Sequence, residues 1–318
     1  AVFDHNGDAL AGPGSPEGLY HRDTRHLSHF YLTIGGVRPM LLSSNSRDDN
    51  ASLTCDLTNP DLYDAAGRLV LAHDLIHIRR SRFLWNGACF ERLSVRNFDE
   101  SRRSVRIEIA FAADFADIFE VRGTRRERRG SDHQAEITPH SVTLAYTGLD
   151  GRRRDTALHF DPAPVALTAS QAVFAFSLAP REAQLAFLEI HCDGERHRQT
   201  ADNSEPPYQK RETRRAFFVA LRDARRALRI SSSRAATVAT SNEICNEAVR
   251  RGVSDLYMLV TNTPEGPYPY AGIPWFSTVF GRDALITALE MLWLDPTIAR
   301  GVLRHLAANQ ATQYDPVA

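Results

Sequence analysis

Between about residues 19 and 192 the apolar residues fall largely on alternate positions, a period of two that predicts β-strands. Residues 29–34 (HFYLTI) end at Gly35-Gly36, which predicts a hairpin-type turn into a following strand at 37–42. Residues 69–84, 88–98, 104–112 and 135–146 mix β-branched and aromatic side chains with Arg, Glu or His, the pattern of antiparallel strands wet on one face. Gly67, Asn86-Gly87, Asp99-Glu100, Asp150-Gly151 and Asp161-Pro162 punctuate them, and 173–178 and 183–191 complete the set. The spacing predicts an N-terminal antiparallel β-sandwich over residues 1–192.

The pattern changes near residue 193. Residues 193–207 are polar and aperiodic, as in a linker, and 208–228 are rich in Arg, Glu, Ala and Leu, which predicts a charged helix; 193–240 is therefore the expected connection. Ser241 is placed to cap a helix with apolar positions at Ile244, Ala248, Val249, Val253, Leu256 and Leu259. The next helix is predicted from Asp283 to Leu294, and because it is apolar on almost every side it is expected to be buried all round. Pro296, at a first helical position, opens another through Gln310. The fold class is thus β then α, with 241–318 the opening of an all-α domain whose few helices cannot close a core by themselves.

The chemistry gathers in residues 268–283, YPYAGIPWFSTVFGRD. Pro267, Pro269 and Pro274 stiffen this loop, and Gly281 lets the backbone approach a ligand closely. Flat aromatic faces beside a guanidinium and a carboxylate suit a sugar: the rings stack on its face while the charged groups bond its hydroxyls. Trp275, Phe276 and Tyr270 are the expected platform and Arg282 and Asp283 the expected grip, with Phe280 left to packing. The plainer reading is a carboxylate favouring a helix N-terminus with an arginine packed nearby.

Composition bounds the alternatives. A chain of 318 residues suits two domains, and 43% hydrophobic with 24% charged residues is a globular composition. The net charge of −1 supplies no field to recruit nucleic acid or an anionic membrane, so neither is an expected partner. Lys210 is the lone lysine, and the arginine runs at 125–129 and 152–154 sit beside glycines and acids, as solvated turns do. Cys55, Cys89, Cys192 and Cys245 form no C-x-x-C pair, no apolar run reaches a membrane span, and no signal-peptide pattern opens the chain; a reducing, cytoplasmic setting is expected. His21, His26 and His29 invite a metal, but on one strand they would alternate faces and could not converge without a bend. No metal and no other cofactor is expected, and Arg22-Asp23-Thr24-Arg25 is expected in a buried ion-pair network.

Residues 271–283 (AGIPWFSTVFGRD) resemble the segment that opens the catalytic domain of bacterial glycogen-debranching (amylo-α-1,6-glucosidase-like) proteins. Residues 18–28 (GLYHRDTRHLS) and 114–123 (DFADIFEVRG) resemble hallmark runs of the domain that precedes it in that family. The resemblance implies a catalytic (α/α)6 toroid of twelve helices, of which residues 241–318 supply about the first third. It also implies an inverting hydrolysis of α-glucans, in which one carboxyl group protonates the leaving oxygen and another activates water from the opposite face. Asp283 matches the family's substrate-gripping position rather than either of those, so no catalytic residue is expected here, and the segment alone is expected to be inert. Against this enzyme reading stand a non-catalytic glycan-binding module and a structural module supporting a homo-oligomer.

Overall fold

The computed structural model describes residues 1–12, 14–47, 50–193, 213–273 and 275–311. Its contacts divide it into two units, one of Ala1–Arg47 and Ala51–Ala224, the other from Arg225 onward with Asp48–Asn50. The expected linker at 193–207 lies outside the described residues but for Asp193, and Pro274 lies outside them too.

The first unit holds two large antiparallel sheets. One runs Ala9–Leu10, His29–Ile34, Arg103–Ala112, Gln171–Leu178, Ala166–Leu167. The other runs Ser131–Asp132, Ser141–Thr147, Arg153–Asp161, Ala183–Cys192, Ala88–Asn97, Ile76–Trp85, Leu53–Thr58, Met40–Ser46. Alternation decides which side chains point inward: in Arg103–Ala112, Val105, Ile107, Ile109 and Phe111 are buried while Ser104 and Arg106 are exposed. They join Phe30, Leu32, Phe174 and Phe176 of their own sheet and Leu57, Ile78, Leu93, Leu158 and Ile190 of the other in one core cluster. Burying each such side chain contributes about 1.5–3 kcal/mol, so facing apolar layers make a sandwich.

Several local expectations needed correction. Asn86 (φ 46°) and Gly87 (φ 69°) turn Ile76–Trp85 into Ala88–Asn97, as an Asn-Gly hairpin should. Gly35-Gly36 also turns the chain, but only Ile34 and Val37 pair across it. The strand His29–Ile34 already has a neighbour on each side, so the chain leaves it and enters the other sheet at Met40–Ser46. The stretch 69–84 is two strands, Leu69–Leu71 and Ile76–Trp85, broken at Asp74 (φ 62°). Asn59 holds that break by donating to the Ala72 carbonyl and accepting from Leu75 N and Ile76 N. Likewise 135–146 divides into Glu136–Ile137 and Ser141–Thr147.

Charge also enters this core. Ile76, Ile78, Arg80 and Arg82 share one face of their strand, so the apolar register continues into two buried arginines. Glu91, fully buried on the next strand, accepts from Arg80 Nε (2.7 Å) and Arg82 Nε (3.0 Å), and Arg80 Nη1 donates to buried Asp8 Oδ1 (2.5 Å). Burial alone would push the Glu91 carboxyl up, but the two guanidinium groups outweigh it and hold it below its usual range. Arg80 and Arg82 also donate to the Asn6 and Gly7 carbonyls, pinning the N-terminal segment to the sheet.

The Thr213–Ser232 helix starts within this unit, where Phe217 and Ala220 pack on Phe83, Phe90 and Phe187. The second unit holds the helices Glu243–Leu259, Gly281–Glu290 and Pro296–Ala308, and a two-stranded hairpin, Val260–Thr263 with Gly266–Pro269. The cap of Glu243–Leu259 is Asn242 rather than Ser241, since the Asn242 side chain accepts from Ile244 N and Cys245 N. Among the described residues no helix is long and apolar enough to cross a membrane.

Candidate functional site

The hairpin was not anticipated, because Gly266, Pro267 and Pro269 look like breakers; a two-stranded ribbon has outer edges that tolerate a missing N–H. It starts the predicted loop from a fixed base. Tyr268 is fully buried, and Tyr270 is anchored by its backbone N–H on the Leu259 carbonyl (2.9 Å). Gly272 and Phe276 exchange backbone hydrogen bonds (3.2 and 3.1 Å), forming a tight reversal that includes Trp275. Tyr270 and Trp275 are half-buried, whereas Phe276 is 50% exposed.

The loop ends at Gly281–Glu290, whose N-cap, Phe280, makes no side-chain capping bond. Asp283 falls in the first turn, where a carboxylate interacts favourably with the helix dipole. The Arg282 side chain is 77% exposed and that of Asp283 41%; Arg282 Nε stands 3.7 Å from Asp283 Oδ2 and the guanidinium 5.5 Å from the Phe280 ring centre. This is a loose, solvated pair, not a bidentate clamp, so both groups keep hydrogen-bonding capacity for a ligand. Phe280, expected only to pack, instead lies beneath the guanidinium.

The helix that follows is not buried all round. Ala284 and Ala288 face the core, and Met291 and Leu294 beyond its end do too, but Leu285, Ile286, Leu289 (69% exposed), Leu292 and Trp293 (64%) lie open. It also ends at Glu290, with Met291 as C-cap, short of the predicted Leu294. Asp295 is the N-cap of the Pro296–Ala308 helix and also joins it to a second helix. Fully buried, it accepts from Tyr257 Oη (2.7 Å), Thr297 N (3.0 Å) and Thr297 Oγ1 (2.6 Å), tying two helices together. Asp-Pro-Thr ahead of an apolar run was the available signal for the cap, though not for Tyr257.

A family model described as the N-terminal domain of (some) glycogen debranching enzymes matches residues 1–189. The chain belongs to that family. A search of curated proteins found no match. Among solved structures, a presumed kojibiose phosphorylase from the human microbiome superposes with a TM-score of 0.62 at 8% identity, over 88% of this chain and 38% of that one. The chain thus spans well under half of that protein's length, and at such identity the likeness concerns the fold alone. The heparan sulfate lyase HepC of Pedobacter heparinus (TM-score 0.27, 13% identity, 52% of this chain and 24% of that one) is far weaker. So is a galactose mutarotase-like protein of Clostridium acetobutylicum (0.25, 6%, 49% and 66%), and neither carries an argument.

Within this debranching-enzyme N-terminal domain the two hallmark runs meet. Leu19–His21 and Thr24–Leu27 form a hairpin that turns on Arg22 (φ 46°) and Asp23 (φ 60°). Buried Arg25 holds Asp114 through Nε (3.1 Å) and Nη2 (2.5 Å) and reaches the Ser15 carbonyl. Ile118 N donates to the Asp23 carbonyl, and Asp117 caps the short Ile118–Val121 helix in a reciprocal capping box with Glu120. Arg25 therefore sits in the expected ion pair. The turn at Arg22 and Asp23 is the bend that brings the His21 and His26 rings within 6.0 Å. His26 is fully buried, with Nδ1 3.0 Å from the Asp155 carbonyl, and burial lowers its pKa to about 4, so it is neutral near pH 7. Among the described residues no three His, Cys, Asp or Glu gather to hold a metal ion. The arginine runs at 125–129 and 152–154 find acids: Arg126 pairs with Asp117, Arg129 with Glu120 and Arg154 with Asp150.

Proposed function

We propose that this chain is part of a glycoside hydrolase acting on α-glucans, of the amylo-α-1,6-glucosidase type, in which Arg282 and Asp283 hold the terminal glucose. The observation that carries this reading is the exposed, loosely paired Arg282–Asp283 couple at a loop-to-helix junction, behind a domain of the debranching-enzyme family. Tyr270, Trp275 and Phe276, on the same loop, offer ring surface to the sugar. The uncovered apolar residues Leu285, Ile286, Leu289, Leu292 and Trp293 are what further helices of an (α/α)6 toroid would bury. Asp295, the one fully buried acid among the described residues of the second unit, is occupied by Tyr257 and Thr297, and this favours a general acid and base beyond residue 318. Four unbridged cysteines, three of them buried, suit a reducing compartment, and the reading places the protein in the cytoplasm.

The test is Asp283→Asn in the full-length protein. Losing a charge-assisted hydrogen bond of about 1.5–3 kcal/mol should cut turnover on a branched glucan at least about tenfold. Wild-type kinetics in that variant would reject the gripping role.

A further inference from the structure

The loop that presents the aromatic residues begins and ends on the same helix. At its start, Gly301 of Pro296–Ala308 lies under the hairpin: a Cβ there would stand 2.2 Å from the Pro267 carbonyl oxygen, and one on Gly266 would stand 3.2 Å from Gly301 Cα. Glycine at 301 is what permits backbones that close, and Gly266, at φ 133°, holds a conformation that favours glycine. One turn further along the same helix face, His305 Nδ1 is 2.9 Å from Glu265 Oε2 at the hairpin tip. The His305 ring meets the buried Tyr268 ring edge-on at 4.9 Å. At the loop's end, Leu306 Cδ2 lies 3.4 Å from where a Cβ on Gly281 would be, and Gly281 directly precedes Arg282.

We propose that the Pro296–Ala308 helix positions the saccharide grip, and that His305 is the residue through which it does so. The inference rests on the reading of Arg282 and Asp283 as sugar ligands. Their mutual contact, at 3.7 Å on exposed side chains, is too loose to fix their own geometry. Placement of the ring surface against the couple must come from the supports beneath the loop, and sugar-binding groups need placement to within roughly half an ångström. Gly301 and Leu306 act through backbone fit and packing. His305 grips both the hairpin tip and Tyr268, so it sets the angle at which the chain enters Tyr270 and the Trp275 reversal. His305 need not touch the sugar to do this; it is a positioning residue.

A double-mutant cycle on maltotriose affinity, measured calorimetrically with the full-length protein, decides the matter. His305→Ala should weaken binding at least about fivefold when Asp283 is present, but less than about twofold in the Asp283→Asn background, because the two act as one unit. Amide exchange in residues 270–280 should quicken in His305→Ala. Equal losses in both backgrounds would show a merely structural role and overturn the proposal. If Asp283→Asn weakens binding while His305→Ala does not, the positioning role falls and the gripping role stands. If Asp283→Asn changes nothing, the gripping role itself falls, and the positioning role with it. Should His305→Ala fail to fold, His305→Asn runs the same cycle: its amide nitrogen falls where Nδ1 stands and keeps the bond to Glu265 but offers Tyr268 no ring, so intermediate weakening is expected. Full wild-type affinity in His305→Asn would contradict the proposal.

Discussion

The two units handle apolar surface in opposite ways. In the first, each sheet turns one face to the other, so Ile107, Ile109 and Phe174 meet Leu93, Leu158 and Ile190, and even inward-facing Arg80, Arg82, Glu91 and Asp8 are paired. In the second, the Gly281–Glu290 helix buries Ala284 and Ala288 and leaves Leu285, Ile286 and Leu289 open. A strand's alternation names its buried face and the sheet pairing supplies the cover. An all-round apolar helix names no face at all, and its burial depends on how many neighbours surround it. The sandwich thus covers its inward faces, and the Gly281–Glu290 helix leaves apolar surface open.

That contrast can be broken by charge removal. Glu91→Ala leaves buried Arg82 without its carboxylate and Arg80 with Asp8 alone, and should cost the first unit about 3–5 kcal/mol, read by urea unfolding. A loss under 1 kcal/mol would mean the network is not a required part of the core. Acid should act through His26 in the same unit. Because its folded pKa is near 4 and its unfolded value near 6.5, the unfolded chain takes up the proton first as pH falls. The stability His26 contributes is complete above about pH 6.5 and fades toward pH 4, by about 3 kcal/mol in total. His26→Gln should flatten that part of the pH profile; an unchanged profile would assign it to another group. For the helical unit, Gly301→Ala drives a methyl group to 2.2 Å from the Pro267 carbonyl and should cost about 1–3 kcal/mol, seen as faster amide exchange in 260–269 while the sandwich amides stay protected.

Much of this fold could be read from residue pattern, and the failures have physical causes. Asn86-Gly87 announced its hairpin because two consecutive left-handed residues leave the chain few other options. Gly35-Gly36 gave an equally good turn but could not say which sheet the next strand would join, since that depends on which edges are already occupied. The buried arginines could have been seen: Ile76, Ile78, Arg80, Arg82 keep one register, and Glu91 across the pair together with Asp8 explains why charge continues inward. The hairpin at 260–269 was hidden by its prolines and glycine. At the candidate site, the order of Tyr270, Trp275, Phe276, Arg282 and Asp283 along the loop was plain from the chain. The support beneath them was not, because His305 and Glu265 are 40 residues apart and each is unremarked in its own segment.

The most direct measurement is a crystal structure of the full-length protein soaked with glucose or maltotriose. The account predicts sugar hydroxyls within hydrogen-bonding distance of the Arg282 guanidinium and the Asp283 carboxylate, with Tyr270, Trp275 or Phe276 against the ring. A saccharide bound elsewhere, with that couple sealed by packed side chains, would contradict it.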